Sequence, residues 1–367
     1  MSHNLLDGRD FKLGLFSPNC SGGLAATTVA ERWPATWSGN LELARLADRT
    51  GIDFILPIAR WIGYQGSSEF HHSVLEPIPW AAALLAATSR VSIFTTVHTA
   101  FNHPVVSAKQ LATLDQIGQG RTGLNIVAGW NEPEYRAMGL ELPESHEERY
   151  ALAQEWWDHV YALWTEEGRF DLPGRFFDLR GVESAPKPVG GALPLINAGT
   201  SPQGRAFASR NADLVFTGLR DPDDGAGVVA ELESAAKRDH GRRVGVLAPA
   251  FVVCRPTRAE AEEYLRHYAE ENADWEAVDE LMRLQGMYSK AFTDEVLASF
   301  RPRFAAGHGT CPLIGSPDDV AEQIERYAAA GLTGMTLSFV DYLDELEHFA
   351  AEVIPRLEAK GIRLSRD

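Results

Sequence analysis

RTGLNIVAGWNEPEY, residues 121–135, combines a short apolar strand with a polar loop that follows it directly. The strand signal breaks at Gly129, and the loop after it carries Trp130. Asn125 lies inside the strand, where a buried amide without a hydrogen-bonding partner costs about 1–3 kcal/mol. Asn125 is therefore either a core residue held by backbone groups or part of a site at the carboxyl end of this strand.

On both sides of this stretch, apolar strand signals alternate with amphipathic helical signals. Seven further strands are predicted, at Lys12–Asn19, Asp53–Pro57, Val91–Val97, Leu193–Ala198, Asp213–Thr217, Val244–Val253 and Gly334–Val340. Helices are predicted between them, with the clearest signals at Ser38–Thr50, Glu76–Ser89, Pro104–Ile117, His146–Glu166 and Glu345–Lys360. Ser38 is the expected N-cap of the first helix.

Two stretches interrupt the alternation and are interpreted as insertions, at about 168–192 and 272–315. In the first, apolar residues alternate around a Pro-Gly pair within Phe170–Leu179, which predicts a hairpin. The second begins with a helical pattern and then becomes irregular over Arg301–Thr310. We expect residues 272–310 to form a lid that the cofactor or substrate orders.

Eight strands followed by helices, with no linker between halves, predict an α/β fold in which residues 1–367 form one (β/α)8 TIM barrel. A doubly wound open sheet is disfavoured because no G-x-G-x-x-G follows the first strand. Functional residues of a barrel follow the carboxyl ends of its strands. The residues at those positions are Asn19, Ala59–Arg60, Thr96–His98, Asn125–Trp130, Gly199–Ser201, Phe216–Gly218 and Phe339–Asp341.

Composition narrows the classes of partner. The net charge of −17 argues against binding to nucleic acid or to an anionic membrane, because both need clustered cations. No run of about 18 apolar residues predicts a membrane span, and the polar first ten residues contain no signal-peptide core. Cys20, Cys254 and Cys311 form no paired motif, which favours a reducing, cytoplasmic setting.

The residues at the strand ends do not favour a metal or a hydrolytic nucleophile. His71, His72, His98 and His103 have no carboxylate at ligand spacing, so no metal site is expected. There is no G-x-S-x-G motif.

A phosphate-binding site is the better interpretation of the residues at the strand ends. Ser201 precedes Pro202 at a predicted helix start, where backbone N–H groups and the helix dipole favour an anion. Arg60 and Arg149–Tyr150 are candidate partners, since an arginine can bind a phosphate with two hydrogen bonds. The alternative for Arg149 is a surface ion pair with Glu147 or Glu148.

Several segments together resemble the bacterial luciferase-like flavin monooxygenases, and within them the group of the pyrimidine and dimethylsulfone monooxygenases. The matching segments, in order along nearly the whole chain, are Lys12–Asn19, Asp53–Arg60, Leu85–Arg90, Gln110–Asp115, Gly123–Trp130, Glu148–Tyr150, Phe170–Phe177, Ala198–Ser201 and Leu313–Pro317. The resemblance implies a two-component enzyme that receives reduced FMN from a separate NAD(P)H-dependent flavin reductase and reacts it with O2. It also implies a homo-oligomer, either a dimer or a tetramer.

The resemblance assigns roles to individual residues. FMN positions of the group fall on Ala59, Arg60, Asn125, Glu134, Arg149, Tyr150 and Ser201. The group's small pocket that holds O2 and steers it to flavin N(5) maps to Leu56, Thr96, Asn125, Trp130 and Phe216. O2 is apolar and favours a dry niche, and Thr96 and Asn125 can donate hydrogen bonds to the reacting oxygen.

The chain also departs from its relatives. Luciferases proper carry a histidine near Arg60, and this chain does not. The expected substrate-facing residues, which differ from those of the pyrimidine and dimethylsulfone enzymes, are Trp61, Tyr64, Glu69, His98, Phe101 and Phe339. His98 is either an acid or base or a packed histidine. The expected substrate is a small heterocyclic, amide or organosulfur compound.

Two other functions compete with the monooxygenase. A deazaflavin-dependent dehydrogenase or reductase uses the same barrel and moves a hydride without O2. It is the weaker interpretation because the residues of the O2 pocket are all present. A non-catalytic flavin-binding relative is disfavoured because such proteins have lost barrel segments and every predicted strand is found here.

Overall fold

The computed structural model describes residues 10–219, 221–287 and 294–365. The parallel strands are β1 Lys12–Phe16, β2 Phe54–Leu56, β3 Ser92–His98, β4 Thr122–Val127, β7 Leu195–Asn197, β8 Leu214–Phe216, β9 Gly245–Cys254, β10 Cys311–Gly315 and β11 Gly334–Ser338. A separate antiparallel pair is formed by β5 Phe170–Leu172 and β6 Leu179–Val182, which is the predicted hairpin.

The parallel strands close into a ring of eight. Neighbours follow the order β9, β11, β1, β2, β3, β4, β7 and β8, and β8 pairs with β9 again. Closure is visible in the register, where Leu214 of β8 lies opposite Gly245 and Leu247 of β9 lies opposite Gly334 of β11. The predicted (β/α)8 barrel is therefore confirmed, and β10 is an additional strand on the far half of β9.

Helices surround the ring. They are α1 Trp37–Thr50, α2 Pro77–Ala87, α3 Pro104–Gly118, α4 Glu132–Ala137, α5 His146–Thr165, α6 Pro202–Asn211, α7 Pro222–His240, α8 Arg258–Arg266, α9 Trp275–Leu284, α10 Asp294–Gly307, α11 Pro317–Ala329, α12 Tyr342–Glu352 and α13 Ile354–Ala359. A π-helical turn, His267–Glu271, follows α8. Across the described ranges, none of these helices has the length and apolar character needed to cross a membrane.

Successive side chains of each strand point to opposite faces of the sheet, so the barrel has two separate cores. Leu13 and Leu15 of β1 face outward into a large core shared with the helices, whereas Phe16 faces the barrel interior. The interior cluster is Phe54, Leu56, Phe94, Ile196, Leu214, Phe216 and Leu247. Glycine is required in this lumen: a Cβ at Gly123 would overlap the ring of Phe94. The lower barrel is thus filled, and free space can exist only near the carboxyl ends of the strands.

Four boundaries differ from the sequence-based expectation. The first strand ends at Phe16 because Ser17 adopts a left-handed φ of 63°. Thr36, not Ser38, caps α1, and its hydroxyl accepts from the Gly39 amide at 3.1 Å. The closing helix is two helices, α12 and α13, because Pro355 has no amide hydrogen with which to continue the first.

The fourth difference concerns Arg301–Thr310, which was expected to be irregular and mobile. Residues up to Gly307 belong to α10, and the Arg301 guanidinium holds Asp279 of α9 at 2.7 Å. The same arginine lies over the Trp275 ring, with 4.7 Å from Cζ to the ring centroid. Whether residues 272–310 act as a lid stays a prediction.

Candidate active site

Thr96 of β3 and Asn125 of β4 lie side by side at the carboxyl end of the barrel. The Asn125 amide nitrogen donates to the Thr96 hydroxyl at 3.1 Å, and that hydroxyl donates to the Pro57 carbonyl at 2.6 Å. Asn125 Oδ1 is buried and has no partner among the described residues. Asn125 is therefore not a core amide satisfied by backbone, and its free carbonyl oxygen is available to a ligand.

An apolar wall stands beside this pair. Leu56 and Phe216 belong to the interior cluster, and the Phe216 ring meets Phe16 edge to face at 5.1 Å between centroids. Both side chains are almost completely buried. The structure thus brings Leu56, Thr96, Asn125 and Phe216 to one end of the barrel as two polar and two apolar neighbours.

A buried ion pair joins Arg60, in the loop after β2, to Glu134 of α4. Arg60 Nη1 is 3.3 Å from Glu134 Oε1, and the same oxygen accepts from the Trp61 amide at 3.0 Å. The Arg60 guanidinium also lies over the Trp130 and Tyr64 rings, at 5.0 and 5.2 Å from Cζ to the ring centroids. Arg60 was also expected to bind the phosphate, but its ion-pair and cation–π contacts among the described residues are with Glu134, Trp130 and Tyr64, and none of them is with the other expected phosphate residues, Arg149, Tyr150 and Ser201.

The ion pair is only partly satisfied. Arg60 Nε and Glu134 Oε2 are buried atoms that find no hydrogen-bonding partner in the described part of the chain. Ala59 precedes Arg60 and is 3% exposed, so its backbone lies inside the site and not on its rim. The ion pair can hold this part of the site in place and still offer Arg60 Nε as a donor and Glu134 Oε2 as an acceptor to a ligand.

The expected phosphate-binding site is assembled at the start of α6. Ser201 is the N-cap, and its hydroxyl accepts from the Gly204 amide at 3.1 Å. The Tyr150 hydroxyl lies against Gly199 and Gly204, where a Cβ on either residue would collide with it. The Tyr150 hydroxyl therefore lies close to the backbone at the N-terminus of α6. A helix N-terminus favours binding of an anion.

Arg149 precedes Tyr150, whose hydroxyl lies against Gly199 and Gly204 at this helix start. The Arg149 side chain is mostly buried, and Nε has no partner within residues 10–219, 221–287 and 294–365. Among the described residues Arg149 forms no ion pair with Glu147 or Glu148, and Glu148 pairs instead with Arg175 at 2.6 Å. A buried guanidinium with an unused donor is costly unless an anion completes its environment.

Aromatic residues form one side of the site entrance. Trp61 meets His98 at 5.1 Å and Phe101 at 5.3 Å, and the His98 and Phe101 rings stack at 5.2 Å. Tyr135 extends the group by an edge contact with Phe101 at 4.9 Å. The expected substrate-facing residues Trp61, His98 and Phe101 are therefore adjacent.

His98 is a neutral residue of this group. Burial and the Arg60 guanidinium lower the pKa of His98 to about 3, against a smaller opposing effect of its hydrogen bond to the Ala59 carbonyl. The other ring nitrogen, Nδ1, is buried and unpartnered among the described residues. His98 is thus a packed histidine that offers an acceptor, and it carries no proton to donate as an imidazolium near neutral pH.

Three expected substrate residues, Phe339, Glu69 and Tyr64, lie outside this aromatic group. Phe339 follows the end of β11 and packs outward against Tyr342 and Phe349, at 5.9 and 6.0 Å between centroids, so it does not join Trp61 and His98. Glu69 is an exposed residue with a left-handed φ of 54°. Tyr64 is buried below Arg60 against Phe70 at 5.4 Å, outside the aromatic entrance.

Two histidines near Tyr64 were not expected in the site. The His71 ring is 5.5 Å from Tyr64 and 6.2 Å from His308, between centroids. His71 had been considered only as a metal ligand, and His308 comes from the second insertion, far away in the sequence. His308 lies between Gly307 and Gly309, and this was the only local sequence feature that pointed to it.

Comparison with known proteins identifies the family. The model of the family described as luciferase-like monooxygenase matches residues 11–334. The chain belongs to this family. The expected resemblance, the barrel and the monooxygenase class are thereby confirmed.

Individual relatives cover almost the whole chain. The pyrimidine monooxygenase RutA of Allorhizobium ampelinum is 30% identical over 370 residues, covering 97% of this chain and 98% of the relative. The FMNH(2)-dependent dimethylsulfone monooxygenase of Pseudomonas fluorescens is 31% identical over 367 residues, covering 95% and 96%. Among solved structures, a riboflavin lyase with modified FMN and riboflavin has a TM-score of 0.87 at 23% identity, covering 97% of this chain and 93% of that one. This last likeness concerns the fold alone.

Proposed function

We propose that this chain is a two-component monooxygenase that binds reduced FMN at the carboxyl end of its barrel and uses O2 to oxygenate a small heterocyclic, amide or organosulfur compound. Reduced FMN supplies the two electrons that allow one oxygen atom of O2 to enter the substrate while the other leaves as water. A relative 31% identical to this chain is named for its dependence on FMNH(2).

The observation that carries the proposal is the buried Arg149 Nε, which has no partner among the described residues and belongs to the residue next to Tyr150, whose hydroxyl lies at the N-terminus of α6. A phosphate group could bind to both the Arg149 guanidinium and the N-terminus of α6. The guanidinium donates hydrogen bonds to an anion, and the helix start presents backbone N–H groups and a partial positive charge. Tyr150 fits the same role, since its hydroxyl lies at the Gly199–Gly204 crossing. FMN carries such a phosphate and riboflavin does not.

The residues on the barrel axis suit the reacting end of the cofactor. Asn125 offers its free Oδ1 to the isoalloxazine edge, and Thr96 holds the amide in orientation. Leu56 and Phe216 keep water out, which strengthens the polar interactions inside the site. Trp130 and the Arg60–Glu134 pair close the space from above.

Discrimination between FMN and riboflavin tests the proposal. Oxidised FMN and riboflavin are titrated into the wild type and into Arg149→Leu, and binding is followed by quenching of flavin fluorescence. The wild type should favour FMN, and the substitution should reduce FMN affinity about 10–100-fold, as expected for loss of a charge-assisted contact, while riboflavin affinity changes little. Arg175→Leu is the matched control, because this exposed arginine pairs with the neighbouring Glu148. Equal binding of the two flavins by the wild type would contradict the proposal.

The deazaflavin alternative is tested with the same titration. Tight binding of a deazaflavin cofactor together with weak binding of FMN would favour a dehydrogenase or reductase. O2 uptake measured with FMN, a reductase and a substrate panel then tests oxygenation. The NAD(P)H-dependent reductase and a dimeric or tetrameric assembly stay predictions, to be examined by reconstitution and light scattering.

A further inference from the structure

The group formed by Arg60, Tyr64, His71 and His308, here called the imidazole pocket, holds a concentration of unsatisfied polar atoms. Arg60 Nε, Tyr64 Oη, His71 Nδ1 and His308 Nε2 are all buried without a hydrogen-bonding partner among the described residues. Tyr64 and His71 are each 1% exposed. Each unsatisfied atom costs about 1–3 kcal/mol, so four in one cluster indicate a binding function and not a packing role.

A second buried histidine shows what a purely structural role looks like. His159 of α5 is held by a hydrogen bond of 2.9 Å between Nε2 and the Phe177 carbonyl, and neither of its ring nitrogens is left buried and unsatisfied. His71 and His308 differ because each is held on one side only. Buried ring nitrogens without a described partner also occur at His98 and His348. What distinguishes the imidazole pocket is that four unsatisfied atoms come together there, with 5.5 Å between the Tyr64 and His71 rings and 6.2 Å between the His71 and His308 rings.

The hydrogen bonds that hold the two histidines decide what they offer. His71 Nε2 lies 2.7 Å from the Gly23 carbonyl, and because a carbonyl only accepts, Nε2 carries the proton and Nδ1 is an acceptor. His308 Nε2 has no partner among the described residues, and a neutral imidazole always keeps one ring nitrogen as an acceptor. Both rings thus present lone pairs.

The rings stay neutral over the physiological range. Burial, together with the Arg60 guanidinium, lowers the pKa of His308 to about 3 and the pKa of His71 well below its usual value. The Arg60 charge is compensated by Glu134 at 3.3 Å, and Glu280 is a further carboxylate that acts on Tyr64. An anion would face imidazole lone pairs, and a cation would face Arg60.

We propose that the imidazole pocket selects an uncharged substrate through its N–H or O–H donors, with His71 and His308 accepting from them and Tyr64 completing the contact. The inference rests on the proposed function, because it assigns the substrate class of the same barrel. An amide or lactam with a free N–H can donate to one imidazole while its carbonyl accepts from Arg60 Nε or Tyr64 Oη, and a cyclic urea with two N–H groups can donate to both imidazoles. A sulfone has only acceptors and leaves both imidazoles unsatisfied.

Ring compounds of similar size test the donor requirement. δ-Valerolactam, N-methyl-δ-valerolactam and sulfolane are compared by ligand-observed NMR, with and without oxidised FMN. The lactam with a free N–H should bind about 10-fold more tightly than the other two, which is the discrimination expected when a buried acceptor loses its donor. Equal binding of the lactam and its N-methyl derivative by the wild type would overturn the proposal.

Substitutions locate the effect. His71→Phe, His308→Phe and Tyr64→Phe should each reduce the preference for the N–H compound, to about twofold in the histidine variants, without changing FMN affinity. Tyr64→Phe removes only an unpartnered hydroxyl, so it keeps the test available if a histidine variant does not fold. His348→Phe is the matched control, because His348 Nε2 is also buried and unpartnered in the described chain but lies on α12 beside Arg255 and Glu345.

The outcomes separate this inference from the proposed function. FMN binding without any preference for the N–H compound overturns the inference and leaves the proposed function standing. A preference that disappears in the His71 and His308 variants, in a protein that does not bind FMN, supports the pocket and contradicts the proposed function. A preference unchanged in all three pocket variants also overturns the inference.

Discussion

Asn125 is held by Thr96 through a 3.1 Å hydrogen bond between adjacent strands, and this bond leaves Asn125 Oδ1 as its free polar atom. The Asn125 amide nitrogen is thus used within the protein, whereas its carbonyl oxygen is left for a ligand. The Thr96 hydroxyl cannot rotate away, because it donates in turn to the Pro57 carbonyl. The orientation of the amide is therefore determined by the protein before any ligand arrives.

Replacement of Asn125 by alanine should abolish product formation while the barrel stays folded. The side chain contributes one hydrogen bond within the protein, so the loss of stability should be about 1 kcal/mol. The loss in kcat should be about 100-fold or more, as for removal of a group that stabilises developing charge. Steady-state turnover and thermal unfolding measure the two effects. Asn211→Ala on α6 is the control, and turnover unchanged in Asn125→Ala would exclude Asn125 from the mechanism.

The Arg60–Glu134 pair should show strong coupling. Both side chains are buried, with exposures of 4% and 0%, so removing one partner leaves the other charge uncompensated. Arg60→Met or Glu134→Gln alone should cost about 3–5 kcal/mol, and the double variant should cost less than the sum of the two. Urea unfolding of the four proteins gives the coupling energy.

An exposed pair provides the comparison for that cycle. Arg169 and Glu183 lie 3.3 Å apart with 80% and 55% exposure, and their coupling should be within about 0–1 kcal/mol. Equal coupling energies for the two pairs would show that burial of Arg60 and Glu134 has no energetic role.

Stability should decrease as the pH falls below about 6.5, the usual pKa of histidine. Burial lowers the folded-state pKa of His98 to about 3, so between these two values the unfolded chain binds a proton that the folded chain does not. The stabilisation from neutral His98 is complete above 6.5 and is lost progressively towards pH 3. The slope is at most about 1.4 kcal/mol per pH unit for each such group.

His98→Gln should reduce this slope, because glutamine does not titrate. Urea unfolding at pH 7.5 and 5.5 measures the difference for the wild type and the variant. His240→Gln at the exposed end of α7 serves as the control and should leave the slope unchanged. A wild-type stability equal at both pH values would contradict the prediction.

Asp274 should determine how firmly the second insertion holds the loop after β2. Its carboxylate accepts from the Ser68 amide at 2.6 Å and from the Ala277 amide at 3.3 Å, so one residue both ties the loop and caps α9. Asp274→Ala should cost about 1–3 kcal/mol and increase proteolysis of residues 59–75. Limited proteolysis with mass spectrometry detects the cleavage sites.

The control for Asp274 is another aspartate N-cap. Asp221 caps α7 by accepting from the Asp223 and Asp224 amides, and it makes no hydrogen bond with the loop after β2 among the described residues. Asp221→Ala should lower stability without increasing cleavage at 59–75. If FMN protects this loop in the wild type but not in Asp274→Ala, the lid prediction for residues 272–310 is supported; equal cleavage with and without FMN would contradict it.

Local patterns were sufficient to predict the barrel. The strand and helix signals alternate because each parallel strand must be covered by a helix. This alternation can be detected in short windows of the sequence. Asn125 and Ser201 were found in the same way, since a polar residue within a strand and a Ser-Pro pair at a helix start are local features. Boundaries such as Thr36 and Val353 were missed because capping depends on which hydrogen bonds form in three dimensions.

The alternation of strands and helices, the polar strand residue and the helix start with its phosphate-binding signature could all be derived from residues that are neighbours in the chain. Only the folded chain showed that Arg149 Nε is buried without a partner among the described residues, that Phe339 faces outward, and that His71 and His308 approach each other across more than two hundred residues. Hydrogen-bond satisfaction and the pKa of a buried group depend on every neighbour in space. A linear pattern contains only the neighbours along the chain, and for that reason the chemistry of the imidazole pocket required the tertiary structure.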